Sequence, residues 1–486
     1  MFLCFVYKMK LERINNREME ISVEKGSRSL QYASSLSVAL IVMECGISLA
    51  WTSPTLLHLK KKDSGVYITE ITGALLVSIY FLGCLTGCSF NPIIMEKFGR
   101  KKSFLLYSIP VIIGWIMITA ANNYFVLCIG RLIVGIGDGG LLEFISIYLG
   151  EITDKDIRGK LSIMTKSSML VGVFFVNAMG TFFTYRTSNL ISVGISVLFF
   201  ITFFFMPESP YIHLMRGQEK DAVMCLMKLK GFKQPESVQL DLTIMKKAVV
   251  EKEKCQSNSL RELICNKSNR KRLLILLVAK VTRNLSGSVA ILSYLHEITL
   301  QSGNSNSVVL YICLVKIISS IVSSQIIDKV GRMLIFLACG IICTFALTTL
   351  GTFFFLKLFL NYSTLNIAWI PILSLIAYEI GYYMGISPVG YVLQGELFPL
   401  KVKGMAVAIV SVIEQFLSFG IGLVFPIVNY FFGIYVSFWF FALCCITGTL
   451  FVFIITPETH SKTLEEVEAL IIPASKKAVF KPLITN

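Results

Sequence analysis

Charged side chains are scarce in this sequence. Only 15% of its 486 residues are Asp, Glu, Lys or Arg, while 55% are hydrophobic and the mean hydropathy is +0.71. Soluble domains carry roughly a quarter charged residues. The composition therefore excludes an ordinary water-soluble domain. It indicates a chain that lies mostly in lipid, where acyl chains do not penalise an exposed Phe, of which there are 36.

Residues that build catalytic centres are also few or badly spaced. The sequence has no glycine-rich loop of the kind that cradles phosphates, and its four histidines are far apart. The 13 cysteines are odd in number and scattered, so they predict neither a disulfide framework nor a metal site. We therefore expect a protein that is not an enzyme or an ATP-driven pump, with no cofactor and no metal.

The amino terminus lacks the features of a secretory signal. Its first apolar run is only seven residues long, no basic stretch precedes it, and Lys8 and Lys10 stand where small cleavage-site residues would be needed. We expect residues 1–33 to form a cytoplasmic tail.

Long apolar runs dominate the rest of the chain. A transmembrane helix needs roughly 20 mostly apolar residues. We predict an all-α membrane protein with twelve spans in two six-helix bundles, 34–206 and 273–456. A polar linker domain at 207–272 separates the bundles, and a tail at 457–486 follows them. The predicted spans lie near 34–57, 68–91, 103–121, 125–148, 162–184, 190–206, 273–296, 306–327, 333–356, 366–393, 404–428 and 433–456.

Basic residues in the short loops predict the orientation, because Lys and Arg concentrate on the cytoplasmic side. The linker 211–272 holds 14 Lys/Arg against seven Asp/Glu, and the basic loops fall on the same side. Lys60 to Lys62 are the exception on the other side. These loop residues are Lys97, Arg100, Lys101, Lys102, Lys155, Arg158, Lys160, Lys329, Arg332, Lys401 and Lys403.

With an even span count, both termini are expected to be cytoplasmic and the protein to lie in the cell membrane. The net charge of +15 is then a topology signal and not the stripe of a nucleic-acid surface. The expected partners are the lipid bilayer and a small-molecule solute, with no nucleic acid, and the chain is expected to be monomeric.

Three motifs recur in the same order in the two halves. Glu96-Lys97-Phe98-Gly99-Arg100 returns 232 positions later as Asp328-Lys329-Val330-Gly331-Arg332. Glu151 precedes Arg158-Gly159 by seven positions, as Glu396 precedes Lys403-Gly404. Pro207-Glu208-Ser209 returns 250 positions later as Pro457-Glu458-Thr459. Duplicated bundles of this kind are typical of transporters, whose site lies between the repeats.

The repeated charges suggest a latch that closes the cytoplasmic side when the protein faces outward. An Arg fork after a glycine turn can bind carboxylates on neighbouring helix ends. The alternative is that these cations only anchor loops at lipid headgroups, which we favour for Lys101, Lys102 and Lys401. The candidate gate residues are Arg100, Glu151, Arg158, Glu208, Asp328, Arg332, Glu396, Lys403 and Glu458.

Together these motifs resemble the signatures of the sugar-porter family of the major facilitator superfamily. The resemblance runs from about residue 46 to residue 467, and Gly46 with residues 49–54 is similar to the first helix of insect facilitated trehalose transporters. It implies two six-helix bundles, a cytoplasmic helical domain and a central site near the bilayer midplane. The strings that carry it include Gly99-Arg100-Lys101, Tyr148-Leu149-Gly150-Glu151, Pro207-Glu208-Ser209-Pro210, Gly395-Glu396-Leu397-Phe398-Pro399 and Pro457-Glu458-Thr459.

The family's sugar contacts, carried over by position, are largely replaced by charged residues. Where the family typically has amide side chains, this sequence has Arg283 and Asn284 just before Leu285-Ser286-Gly287. In other spans it has Lys166, Lys316 and Glu414 at such positions. Tyr391 stands for a typical Trp and Tyr383 for a common Glu. The candidate solute-binding residues are Lys166, Arg283, Asn284, Lys316, Tyr383, Tyr391 and Glu414.

Two hypotheses follow for the four charged positions. Lys166, Arg283, Lys316 and Glu414 come from four spans and are expected to converge near the midplane, since intramembrane charges are costly unless they face a wet cavity or one another. Glu414 could pair with a lysine and hold the bundles together, or the cavity could carry surplus positive charge for an anionic solute.

The sequence therefore predicts facilitated transport of a small polar solute, a sugar such as trehalose or glucose. The alternatives are a carrier for an anionic or other polar solute and a non-transporting sensor on the same fold. Among the sequons, only Asn361 falls in a predicted external loop, so it is the expected glycosylation site.

Overall fold

The structure is a computed structural model that describes residues 26–61, 65–232, 234–255, 259–305, 307–362, 365–398 and 400–456. For residues 155, 251–255, 259–261, 328, 365, 396, 400 and 401 only the backbone is described. Within these ranges every regular element is a helix.

Local capping fixes several helix starts. The Asn123 side chain accepts a hydrogen bond from Val126 N, and Thr69 forms a reciprocal capping box with Thr72. The helices of the first half are Ser29–Ala50, Thr52–Leu59, Glu70–Phe98, Arg100–Ala120, Tyr124–Ile152, Lys155–Phe182 and Tyr185–Phe204.

The second half has the same number of spans but more interruptions. Its helices are Lys267–Arg283, Val289–Gln301, Ser307–Val330, Arg332–Leu358, Ile370–Gly381, Ser387–Glu396, Leu400–Phe432 and Ile434–Ile455. Single π-turns at Asn284–Ser288 and Tyr382–Ile386 break the seventh and tenth spans, and a short 3₁₀ turn covers Leu365–Ile367. π-turns inside helices are frequent at functional sites.

Twelve helical segments in the described residues are long and apolar enough to cross a membrane, as the sequence predicts. We number them first to twelfth in chain order, counting Ser29–Leu59 and Lys267–Gln301 each as one span. The first helix begins at Ser29 and not at 34, and the seventh begins at Lys267 and not at 273. Helices continue past the hydrocarbon core because the polar turns at their ends still satisfy backbone hydrogen bonds.

The glycine of the repeated loop motif has the same role in both halves. Gly99 and Gly331 have φ of +88° and +98°, a region that side chains avoid, and each directly precedes the Arg that begins the next span. Both motifs therefore reverse the chain tightly between two antiparallel helices.

The linker folds into helices Pro210–Met215, Glu219–Lys230, Gln239–Cys255 and Ser259–Cys265, with a 3₁₀ turn at Pro235–Val238. Ala222, Leu226, Val238 and Leu242 form its small apolar core. We call the end of the bundle that carries these helices the linker end. The other end is the opposite end.

Charged contacts attach the linker to the first half. Lys230 Nζ of the linker lies 3.4 Å from Asp154 Oδ1 of the first half, and 2.5 Å from Asp241 Oδ2 within the linker. Arg28 also binds Asp154. Burial disfavours the Lys230 ammonium, but the bond to Asp241 and the charge of Asp154 outweigh it and raise the pKa of Lys230. The lysine therefore stays charged at neutral pH.

The two halves meet along a seam. The second span packs against the eleventh, the fifth against the eighth, and the end of the first span, Thr52–Leu59, against the end of the seventh, Val289–Gln301. Residues that face this seam are the candidates for solute contact.

Candidate central site

The ring of Tyr391 is the centre of a charged cluster on the seam. Three cations lie over it: Lys280 Nζ is 3.8 Å, Arg283 Cζ 4.8 Å and Lys166 Nζ 5.7 Å from the ring centre. Lys166 belongs to the first half and the others to the second. Tyr391 is 44% exposed and Lys166 is exposed, so the cluster is not sealed off where the halves meet. Cations favour the negative face of an aromatic ring.

Glu414 is the counter-ion of this cluster. Its Oε1 lies 2.8 Å from Arg283 Nη2 and its Oε2 lies 3.3 Å from Lys280 Nζ. The three residues come from the seventh and eleventh spans of one half. Glu414 therefore pairs with a lysine, as one of the two hypotheses expects, but both its ion-pair partners belong to the same bundle, so these pairs do not join the two bundles.

Asn284 supports Glu414 from the adjacent turn. Its Nδ2 donates to the Glu414 backbone carbonyl at 2.9 Å and to Ser418 Oγ at 3.1 Å. Gly287, in the same π-turn, has φ of +88°, and a Cβ there would lie 2.6 Å from the Phe441 ring. The Leu285-Ser286-Gly287 string thus fixes the break that aims Arg283 and Asn284 at the eleventh span.

Lys316 lies in a different pair. Its Nζ is 3.1 Å from Glu379 Oε1, and both side chains are buried. The expected convergence of four charged residues is therefore correct for Lys166, Arg283 and Glu414 but not for Lys316. The eighth and tenth spans are neighbours, so the nearer carboxylate of Glu379 takes the lysine. Tyr383, four residues after Glu379, packs edge-on against the Tyr382 ring, with 5.0 Å between the ring centres.

A second buried polar cluster occupies the first half. Arg131 is 1% exposed, lies over the rings of Tyr80 and Trp51 at 4.4 and 5.0 Å, and donates to the Ser48 carbonyl at 2.8 Å. Tyr80 Oη donates to Asp138 Oδ2 at 3.0 Å, and Trp115 Nε1 donates to the buried Glu44. Sequence reasoning missed Arg131, because its partners include aromatic rings on other spans.

At the linker end, the structure assembles the gate residues of the first half. Arg100 is 1% exposed and binds Glu151 through two hydrogen bonds, Nη2 to Oε1 at 2.7 Å and Nε to Oε2 at 3.0 Å. Glu208 Oε1 accepts from the backbone N–H groups of Arg100 and Lys101, each at 3.0 Å. Arg158 donates instead to the Thr153 carbonyl at 3.0 Å.

The matching cluster of the second half is described only in part. Lys403 Nζ donates to the Gly395 carbonyl at 2.7 Å. Arg332 begins the ninth span. The side chains of Asp328 and Glu396, and the whole of Glu458, lie outside the described residues. A latch that joins the two halves therefore stays a prediction.

The opposite end of the bundle is closed by contacts that sequence reasoning missed. Ser53 Oγ and His296 Nδ1 are 2.9 Å apart, and Lys60 Nζ lies 2.6 Å from Glu297 Oε1 and 2.7 Å from Glu70 Oε2. Burial disfavours the Lys60 ammonium, but the carboxylates outweigh it and raise the pKa of Lys60. The only sequence signal was that Lys60 broke the charge rule. Asn361, the glycosylation candidate, is exposed at this same end.

Comparison with known proteins agrees with this geometry. A sequence model of the family described as "Sugar (and other) transporter" matches residues 36–471. Facilitated trehalose transporter Tret1 of Apis mellifera ligustica is 28% identical over 444 residues, which is 90% of this chain and 88% of that protein. Tret1 of Culex quinquefasciatus is 28% identical over 466 residues, 94% of this chain and 89% of that protein.

The fold is also that of solved transporters. A structure of the proton:xylose symporter XylE, bound to 6-bromo-6-deoxy-D-glucose, aligns with a TM-score of 0.73 at 21% identity, covering 91% of this chain and 99% of that one. An inward-open structure of XylE from E. coli aligns with a TM-score of 0.73 at 20% identity, covering 90% and 99%. At this identity the likeness establishes the architecture of two six-helix bundles.

Proposed function

The chain belongs to the sugar (and other) transporter family, and from this premise we propose that it carries trehalose, glucose or a related solute by facilitated alternating access. It is a multi-pass membrane transporter and not an enzyme. One observation carries the mechanistic proposal: the cluster around Tyr391 draws side chains from both halves, so that rocking of the halves changes the side from which it is reached.

The first span and its neighbours supply a rigid half for this motion. Arg131, its aromatic partners and the carboxyl groups around them bind four spans of the first half to one another. The Glu414 cluster does the same for the seventh, tenth and eleventh spans of the second half. Two internally braced bodies are suited to move against each other.

The contacts at the opposite end support a state that opens toward the linker end. Ser53 with His296 and Lys60 with Glu297 join the halves there, while Lys166 and Tyr391 remain exposed deeper along the seam. We propose that the linker end and both termini are cytoplasmic, as the basic loops indicate, that the protein lies in the cell membrane, and that one chain suffices for transport.

Removing the Lys60 ammonium is expected to open this closure. Lys60→Ala loses two ion pairs in a partly buried setting, and a loss of about 1 kcal/mol would shift the balance between states roughly fivefold toward the outward-open form. The measurement is labelling of a cysteine introduced by Thr299→Cys with a membrane-impermeant maleimide outside intact cells. Thr299 is buried and lies one turn after His296 on the same helix face. Lys61→Ala is the control, since Lys61 is exposed. Equal labelling in both variants would contradict the closure.

Glycosylation tests the proposed orientation. Asn361 and Asn266 both begin sequons but lie at opposite ends of the bundle. We expect a glycosidase-sensitive mobility shift in wild type that Asn361→Gln abolishes and Asn266→Gln keeps. A shift that depends on Asn266 would reverse the orientation, as would cleavage within 211–272 by a protease added outside sealed cells.

Uptake into proteoliposomes tests the function itself. The purified chain should give saturable uptake of labelled trehalose or a related solute above protein-free vesicles. A sensor on the same fold would bind solute without flux. This alternative is open because charged residues replace the amides that are typical of the family. Binding without any saturable uptake across the panel would reject the carrier.

A further inference from the structure

The cluster around Tyr391 does not balance its charges. Lys166, Lys280 and Arg283 supply three positive charges. Glu414 binds two of these cations, and Glu143 of the fourth span lies close to Lys280 and Ser411. Lys316 and Glu379 neutralise each other. Three cations against two carboxylates leave one positive charge at the place where the halves meet.

Lys166 carries the unmatched charge. It forms no ion pair with any side chain that the structure describes, and it is exposed. A lysine in a span could instead extend toward lipid headgroups. Its contact with the Tyr391 ring, across the seam and beside two further cations, shows that it points into the space between the halves.

Arg283 has free donors beside this charge. Nη2 binds Glu414, but Nε and Nη1 have no hydrogen-bond partner within the described part of the chain. A guanidinium offers five N–H groups in a planar fork that suits carboxylate and phosphate oxygens. Leaving such donors unpaired in a low-dielectric interior is costly, and an anion would satisfy both the donors and the charge.

We propose that this site selects a polyhydroxylated, sugar-like solute that carries one negative charge, as a carboxylate or as the monoanion of a phosphate ester. The anionic group binds between Lys166 and the free face of Arg283, and the hydroxylated body lies against Tyr391. This inference rests on the proposed function and names the chemical class of its solute. A neutral sugar leaves the extra positive charge unpaired.

The charge balance has a consequence for transport. The empty site carries one positive charge and the loaded site carries none, so a complete cycle moves one negative charge across the membrane. Uptake into vesicles should therefore rise with a potassium diffusion potential that is positive inside. A neutral sugar moving through the same site transfers no net charge in a complete cycle. The extent of its net uptake would therefore not depend on the sign of the membrane potential.

The experiment compares three hexose-derived solutes in proteoliposomes that contain the full chain: labelled glucose, gluconate and glucose 6-phosphate, the last at about pH 6, where roughly half of it is the monoanion. Uptake of gluconate or glucose 6-phosphate should exceed that of glucose at least tenfold in kcat/KM. The two anions separate a carboxylate site from a phosphate site. Lys166→Gln should lower anion uptake roughly tenfold or more, because a charge-assisted hydrogen bond is lost. Lys166→Arg should retain most of it.

Lys102→Gln is the matched control. It removes the same charge from an exposed residue at the linker end, so it reports any effect of the overall charge of the protein. Anion preference should be unchanged in this variant. Thermal stabilisation of the purified protein by gluconate, compared with sulfate at equal ionic strength, gives a readout that does not require flux.

The outcomes separate the two proposals. Glucose or trehalose flux that the anions do not inhibit, and that Lys166→Gln leaves unchanged, would overturn the charged site while keeping the carrier. Absence of flux for every solute would reject the carrier. In that case, stabilisation by gluconate over sulfate that is lost in Lys166→Gln would uphold the anion site, and equal stabilisation by both anions would reject it.

Discussion

Replacing Glu414 by glutamine is expected to remove most of the folded protein from the membrane. The substitution leaves Lys280 and Arg283, both largely buried, without their shared carboxylate. Breaking a buried ion pair by removing one partner costs about 3–5 kcal/mol, because the remaining charge is left uncompensated. We expect at least a tenfold loss of protein that elutes as a single species after detergent extraction.

A second variant shows whether charge compensation is the cause. Glu414→Gln combined with Arg283→Gln removes one charge of each sign, and Lys280 keeps the nearby Glu143. The amount of folded protein should return to a large part of the wild-type amount, because the effects of substitutions at interacting residues on stability are not additive. Glu219→Gln is the control, since Glu219 forms an exposed ion pair with Lys246 that should contribute at most about 1 kcal/mol. Equal loss in the single and double variants would show that Glu414 acts by packing and not by charge.

Replacing Arg100 by glutamine should have the next largest effect. The buried guanidinium makes two hydrogen bonds to Glu151, and its loss leaves that carboxylate beside Ser209 without a counter-ion. We expect destabilisation of about 3 kcal/mol and at least a tenfold loss of flux per molecule at the surface. Lys101→Gln, which loses a contact with the Phe204 ring and a weak attraction to Glu208, should stay within about twofold of wild type.

The Arg100 variant also tests the predicted latch. In this structure, with the opposite end closed, the pair lies within one half and braces it. If Arg100 and Arg332 also lock the linker end in the outward-facing state, then neutralising either should raise the accessibility of cysteines introduced at the cytoplasmic mouth. Unchanged accessibility in both variants would reduce these residues to braces of their own halves.

Apolar runs and repeated loop motifs were sufficient to predict the twelve spans. Both depend on local sequence: span length follows from the thickness of the hydrocarbon core, and the glycine turns at Gly99 and Gly331 follow from backbone sterics. Span boundaries were less accurate, as at Ser29 and Lys267, because helices continue into the polar turns beyond the apolar run.

Partner choice among the buried charges could not be predicted. The sequence identified Lys166, Arg283 and Glu414 as unusual, but it could not show that Glu414 binds Lys280 or that Lys316 binds Glu379. Such pairs depend on which spans become neighbours and on the rotation of each helix, both set by packing across the whole bundle. The π-turn at Asn284–Ser288 depends both on Gly287 and on packing against Phe441 of the twelfth span, and the second of these is a tertiary feature. The closure by Ser53 and His296 joins residues 243 positions apart.

Counterflow tests the central claim of alternating access most directly. Proteoliposomes are loaded with unlabelled solute and diluted into a trace of the labelled one, using trehalose, glucose, gluconate and glucose 6-phosphate in turn. We predict that at least one solute accumulates transiently above equilibrium, and that the overshoot disappears with Arg100→Gln and is unchanged with Lys102→Gln. A carrier produces this result because the loaded site returns labelled and unlabelled molecules in exchange. Uptake that never exceeds equilibrium for any of the four solutes, from correctly folded protein, would contradict alternating access.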